Sequence, residues 1–136
     1  MLTINLQQIT MSHRAKPVKQ QKAVIIDDEL DICVLLGMAL KKFGIDSKRA
    51  HTLSDGLEKA TTDQPTIIFL DNNLPDGQGI DSIAAFRLKV PNAKIVMITA
   101  VGSLREQALS FGADGFVEKP LDMSKILLAL AQGGRG

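Results

Sequence analysis

At 136 residues the chain has the length of one ordinary domain, enough to bury a single core, and a second folded domain is not expected. Its 45% hydrophobic and 23% charged content is that of a globular protein, and a formal net charge of +1 gives no reason to expect nucleic acid or a membrane as partner. The lone Cys33 lies in an apolar helical stretch, which excludes an internal disulfide, suits a reducing compartment and fits a small core residue.

Residues 1–21 read as a tail before the domain, with Met11 as a second possible start. Leu2, Ile4, Leu6 and Ile9 are interleaved with polar residues, so the apolar block of a signal peptide is missing, and no run reaches the length of a membrane span. A cytoplasmic protein is expected. Residues 1–22 turn basic at Arg14, Lys16, Lys19 and Lys22, which leaves open an arm that binds a partner.

AVII at 23–26 is too short for a helix and apolar at every position, as suits a strand buried on both faces of a parallel sheet. In the helix that follows, Ile32, Leu35, Leu36, Ala39 and Phe43 share a face, and Gly44 can end it in the left-handed conformation. IDSKRA at 45–50 is a polar strand fit for a sheet edge, and Leu53, Leu57 and Ala60 give a second helix its apolar face. TIIFL at 66–70 is the third strand, before a third helix marked by Ile80, Ile83 and Ala84. KIVMIT at 94–99 is the fourth strand; Ser103 and Glu106 have the spacing of a capping box at the start of a fourth helix that Gly112 can end. GFV at 115–117 is the fifth strand, and Asp122 can cap a last helix carrying Met123, Ile126, Leu127 and Leu130 inward.

Strand and helix thus alternate five times. Right-handed crossovers then make the strands parallel and lay helices on both faces, an α/β domain with a five-stranded, doubly wound (βα)5 sheet of the flavodoxin-like kind. Ligands in such sheets lie beyond the carboxyl ends of the strands. Those ends carry Asp27 and Asp28 after the first run, Asp71 after the third, Thr99 and Ala100 after the fourth, and Lys119 after the fifth.

Three carboxylates brought together repel, by about 4 kcal/mol per pair at about 4 Å and an effective dielectric near 20. A divalent cation offsets this. Magnesium suits hard oxygen ligands shared with a phosphate, whereas zinc is disfavoured because His13 is in the tail and His51 follows the polar strand, both read as surface residues. Lys119 adds a cation and Thr99 a hydroxyl donor, which together with a nucleophile and a metal are the parts phosphoryl transfer needs. No G-x-x-x-x-G-K-[ST] loop is present to bind a nucleotide, and no Ser/His/Asp or Cys/His set, so a carboxylate forming an acyl phosphate is the remaining nucleophile.

Residues 22–131 resemble the receiver domain of two-component response regulators, on the acidic pair of VIIDDE, the acceptor in FLDNNLPDGQG, the Thr-Ala pair of MITA and the lysine of VEKP. The resemblance implies a receiver domain over 22–132, with short tails at 1–21 and 133–136, that catalyses only its own phosphorylation and dephosphorylation. It implies that Asp71 takes the phosphoryl group and that Mg2+ is held by Asp27, Asp28, Asp71 and the main-chain carbonyl of Asn73. Lys119 and Thr99 would contact the phosphoryl oxygens, Ala100 would line the site and leave it open, and Phe116 would turn inward as the switching aromatic when Thr99 moves. The Lys119–Pro120 bond would be cis. Implied partners are a sensor histidine kinase or a histidine phosphotransfer protein, and an output protein bound through the fourth helix, fifth strand and fifth helix; direct nucleic-acid or membrane binding is not implied.

Between Thr99 and Lys119 the chain is a little shorter than this family leads one to expect, which implies a trimmed loop and fourth helix on the readout face. Phe116 lacks the hydroxyl of the commoner tyrosine, and Asn73 and Val101 stand where side chains tune the lifetime of an acyl phosphate. The chain is expected to act alone, with a piece of a longer regulator or hybrid histidine kinase as the alternative. An aspartyl-nucleophile phosphatase is the rival of another class, but its nucleophile follows the first strand with a second acid two residues on, and here Asp27 is followed by Asp28, Glu29 and Leu30. A binding module that is never phosphorylated normally lacks an acid, the lysine or the threonine, and none is lost here.

Overall fold

The computed structural model describes residues 21–131; nearly all of the tail assigned to 1–21, with Met11 and His13, and the 133–136 end lie outside the described residues. Five strands, β1 (Lys22–Ile26), β2 (Asp46–Ala50), β3 (Ile67–Asp71), β4 (Lys94–Thr99) and β5 (Gly115–Glu118), alternate with five helices. These are α1 (Leu30–Lys42), α2 (Leu53–Asp63), α3 (Ile83–Lys89), α4 (Arg105–Ser110) and α5 (Met123–Ala131). All pairings in the sheet are parallel and its order is β2-β1-β3-β4-β5, a five-stranded doubly wound α/β fold. The polar strand is at the edge, with its first four residues exposed, while β3 and β4 are buried throughout.

Alternation along the strands builds two cores. Val24, Ile26, Ile68, Leu70, Ile95 and Met97 face α2, α3 and α4 through Ala60, Ile83, Phe86 and Ala108. Ala23, Ile25, Phe69, Val96 and Ile98 face α1 and α5 through Cys33, Leu36, Leu40, Ile126 and Ala129. Among the described residues, no helix is long and apolar enough to cross a membrane.

Four local expectations need correction. The buried stripe of α1 is Cys33, Leu36, Ala39 and Leu40, whereas Leu35 and Phe43 are exposed. Phe43 caps the helix rather than continuing it, and the chain leaves through Gly44 at φ +73° as expected. In α3, Ile83 and Phe86 are buried and Ala84 is exposed, because the 3₁₀ turn Gly79–Ser82 sets the phase and carries Ile80 inward ahead of the helix. The Ser103–Glu106 capping box does not form: Gly102–Leu104 winds into a 3₁₀ turn closed by Leu104 N–H to the Val101 carbonyl at 3.1 Å, and α4 follows with no side-chain cap. In α5, Ile126, Ala129 and Leu130 face the core, and Met123 and Leu127 lie on the outer side. Asp122 does cap this helix, its Oδ1 accepting the Lys125 N–H at 2.8 Å.

Candidate functional site

The parallel register sets the carboxyl ends of β1 and β3 side by side, Ile26 next to Leu70 and Asp71 next to Ile98. This is the point where the chain order reverses about β1, the place where sheets of this kind open a crevice. Asp27 and Asp71 are buried and Asp28 is exposed, and one carboxylate oxygen from each lies within 4.8 Å of the others. Lys119, in the loop after β5, brings Nζ to 2.8 Å from Asp27 Oδ2, 3.5 Å from Asp71 Oδ2 and 3.4 Å from Glu29 Oε1. Three carboxylates, those of Asp27, Asp71 and Glu29, therefore share one ammonium group.

Backbone donors orient the acids. Asp71 Oδ1 accepts the Asn72 N–H at 2.8 Å, and Asp27 Oδ1 accepts the Glu29 N–H at 2.8 Å. The buried Asn72 side chain accepts the Ile80 N–H at 3.1 Å and so folds the loop back beneath the acceptor. Asn73 and Leu74 pair with Gly77 and Gln78 in a two-residue hairpin, and Gly79 then passes so close to the Asp71 carbonyl that a Cβ there would collide with it. Thr99 is fully buried at the end of β4, where its Oγ1 accepts the Val101 N–H at 3.1 Å; Ala100 is exposed beside it. Phe116 is buried with the Arg105 guanidinium 5.0 Å over its ring, and the Lys119–Pro120 peptide bond is cis.

Burial, then the charge of Asp27, pushes the Asp71 carboxyl up from 3.8 to about 6, against the pull of Lys119 and the Asn72 N–H. Burial draws Lys119 downward, but its close ion pair with Asp27 and the charges of Asp71 and Glu29 outweigh this and leave it above an ordinary lysine. Asp27 Oδ2 is buried and, among the described residues, accepts no hydrogen bond of good geometry despite its ion pair. An all-oxygen cluster with excess negative charge and an under-satisfied buried carboxylate fits a hard divalent cation such as magnesium.

Asp27, Asp28, Asp71, Thr99, Ala100 and Lys119 were expected at this edge, and the structure brings the three acids and the lysine into contact range. Glu29, Asn72, His51 and Asp76 were not assigned roles at the site. Glu29 had a signal in the unbroken run Asp27-Asp28-Glu29, and Asn72 in following the acceptor. His51 is exposed and outside the carboxylate cluster, yet its Nδ1 lies 3.0 Å from the Asp27 carbonyl. Asp76 accepts the Leu53 and Ser54 N–H groups at 2.8 and 3.0 Å, tying the acceptor loop to the start of α2.

Residues 23–131 match the response regulator receiver domain family. The chain is 35% identical over 111 residues to the response regulator protein PilR of Pseudomonas aeruginosa, covering 80% of this chain and 25% of that protein. It is 32% identical over 113 residues to the photosynthetic apparatus regulatory protein RegA of Rhodovulum sulfidophilum, covering 82% and 62%. The chain therefore spans less than two thirds of these relatives. Among solved structures, it is similar to a response regulator protein from Burkholderia pseudomallei with a phosphorylated aspartic acid, calcium ion and citrate, at a TM-score of 0.74 and 28% identity over 81% of this chain and 66% of that one. A two-component response regulator from Clostridium difficile superposes with a TM-score of 0.76 at 27% identity, over 82% and 93%. With the five-stranded parallel sheet and the acidic crevice at its switch point, these matches show that the chain belongs to the response regulator receiver domain family.

Proposed function

We propose that this receiver domain accepts a phosphoryl group on Asp71 from a phosphohistidine and uses the resulting charge to switch a protein-binding surface. The observation that carries the reading is the convergence of Asp27, Asp28 and Asp71 within 4.8 Å, with Lys119 Nζ within 3.5 Å of Asp71. Asp27, Asp28, Asp71 and the Asn73 carbonyl would hold magnesium, which when bound neutralises phosphoryl oxygens. An Asp71 oxygen attacks phosphorus, the O–P bond forms as the N–P bond to the donor imidazole breaks, and the imidazole leaves with the electron pair and takes up a proton. Lys119 turns its ammonium from the carboxylates to the new phosphoryl oxygens. Thr99 Oγ1 accepts the Val101 N–H and so keeps its own proton free to donate to a phosphoryl oxygen, with Ala100 too small to block the approach. Water later attacks phosphorus, the Asp71 O–P bond breaks, and inorganic phosphate leaves as the Asp71 carboxylate is restored.

Movement of Thr99 toward the phosphoryl group frees volume beside β5, and the Phe116–Arg105 stack is the element that responds. It lies on a cleft of about 450 Å³ between α4, β5 and α5, lined by Arg105, Phe116, Lys119, Pro120, Lys125 and Leu128, a surface suited to an output protein. In this reading the donor is a sensor histidine kinase or a histidine phosphotransfer protein, the exchange takes place in the cytoplasm, and the domain serves either alone or within a longer regulator. The test is intact mass after incubation with acetyl phosphate. One phosphoryl group is expected on the native chain with magnesium, and none with chelator or on Asp71→Asn; labelling that ignores magnesium or survives the substitution contradicts the reading.

A further inference from the structure

The acidic loop is gripped by a side chain that the phosphoryl chemistry leaves unused. Main-chain pairing of β1 with β2 closes at Ile26 and Ala50, and the Asp27 N–H still donates to the Ala50 carbonyl at 3.0 Å. The Asp27 carbonyl is then met by side chains, His51 Nδ1 at 3.0 Å and Cys33 Sγ at 3.4 Å. A carbonyl only accepts, so the imidazole proton is on Nδ1. That carbonyl belongs to the peptide unit that leads into Asp28, an exposed residue whose carboxylate is placed by the course of its own backbone. Holding the carbonyl fixes the plane of the Asp27–Asp28 peptide and with it the direction of both carboxylates.

The same junction grips the opposite loop. Two and three residues past His51, the N–H groups of Leu53 and Ser54 hold the Asp76 carboxylate in the loop that follows Asp71. Residues 51–54 therefore bracket the crevice from the β2 side, one arm on the acidic pair and one on the acceptor loop.

We propose that His51 is a positioning residue for the divalent cation: its Nδ1–H bond to the Asp27 carbonyl sets the Asp27–Asp28 peptide so that both carboxylates face Asp71. The inference rests on reading this cluster as the magnesium and phosphoryl site. The test uses the full 136-residue chain with His51→Leu and His51→Asn, titrating magnesium chloride alone and following backbone amide resonances. His51→Leu is expected to bind magnesium about tenfold more weakly, at the low end of what outer partners of metal ligands contribute. His51→Asn, whose amide nitrogen stands where Nδ1 stood, restores most of that loss. With acetyl phosphate the three proteins are expected to share one maximal rate, His51→Leu needing more magnesium to reach it, and their thermal midpoints in chelator agree. Native affinity in His51→Leu, or an Asn variant as weak as the Leu variant, overturns the proposal. A native chain that binds magnesium but takes no phosphoryl group contradicts the acceptor reading instead, and the brace is then judged on the magnesium constants. A native chain that binds no magnesium overturns both.

Discussion

Asp71 is 4% exposed, and without metal its charged form is opposed by burial first and by Asp27 second, which is why its carboxyl is pushed up to about 6. Between 3.8 and about 6 the folded protein holds a proton that the unfolded chain has released, so stability in chelator falls as pH rises through that window and stays low above it. Asp71→Asn removes the penalty. Urea denaturation in chelator at pH 7 is expected to show the variant more stable by about 1–3 kcal/mol, the two proteins converging near pH 4. Magnesium competes with that proton, so its affinity is expected to fall about tenfold per pH unit below the Asp71 pKa in a direct titration. Lys119 has the opposite role: Lys119→Ala leaves Asp27 and Asp71 buried without their cation and is expected to cost about 3 kcal/mol at neutral pH, partly recovered on adding magnesium.

At the scale of the elements, the strands were legible and the helix faces only in part: Leu53, Leu57 and Ala60 of α2 pack on the core as read, whereas single residues of α1, α3 and α5 do not. AVII at 23–26, IIFL at 67–70 and IVMI at 95–98 are apolar at every position because their strands are covered on both sides, and each is followed by a polar residue because the sheet ends there. In α1 the outer residues Leu30, Val34, Leu35 and Met38 are apolar too, so periodicity alone chose the wrong side for Leu35. Leu36→Ala is accordingly expected to cost about 2–5 kcal/mol in urea denaturation. Leu35→Ala should cost well under half as much, and equal losses would reinstate the face read from sequence. The Asp76 cap on α2 was hidden for another reason: it joins residues 22 and 23 positions apart, and spacing carries no trace of such a bond. The two N–H groups hold the Asp76 carboxyl below the usual carboxylate range. Its contribution is therefore complete above the unfolded pKa and lost as pH falls through the lower folded one. The stability gap between the native chain and Asp76→Asn is expected to be flat near neutrality and to close in acid.

Over the whole molecule, one topological fact organises the chemistry. Because β1 lies between β2 and β3, the acidic pair and the acceptor become neighbours, with β2 free to brace the first and α2 to anchor the loop of the second. Parallel order and the carboxyl-edge rule made Asp27, Asp28, Asp71, Thr99 and Lys119 readable from sequence, since each stands at or just past the end of a strand. His51 and Glu29 act on the site through a main-chain carbonyl and a shared ammonium group, relations that exist only after folding. On the far side, Thr99 and Phe116 stand on adjacent strands, so a charge gained at Asp71 is within reach of the α4–β5–α5 cleft. In the proposed chemistry Asp71 itself carries the phosphoryl group. Borohydride reduction of the chain treated with acetyl phosphate and magnesium, followed by peptide mass mapping, tests it most directly: an acyl phosphate is reduced to an alcohol, so homoserine is expected at position 71 and nowhere else, and homoserine at Asp27, at Asp28 or at no position contradicts the account.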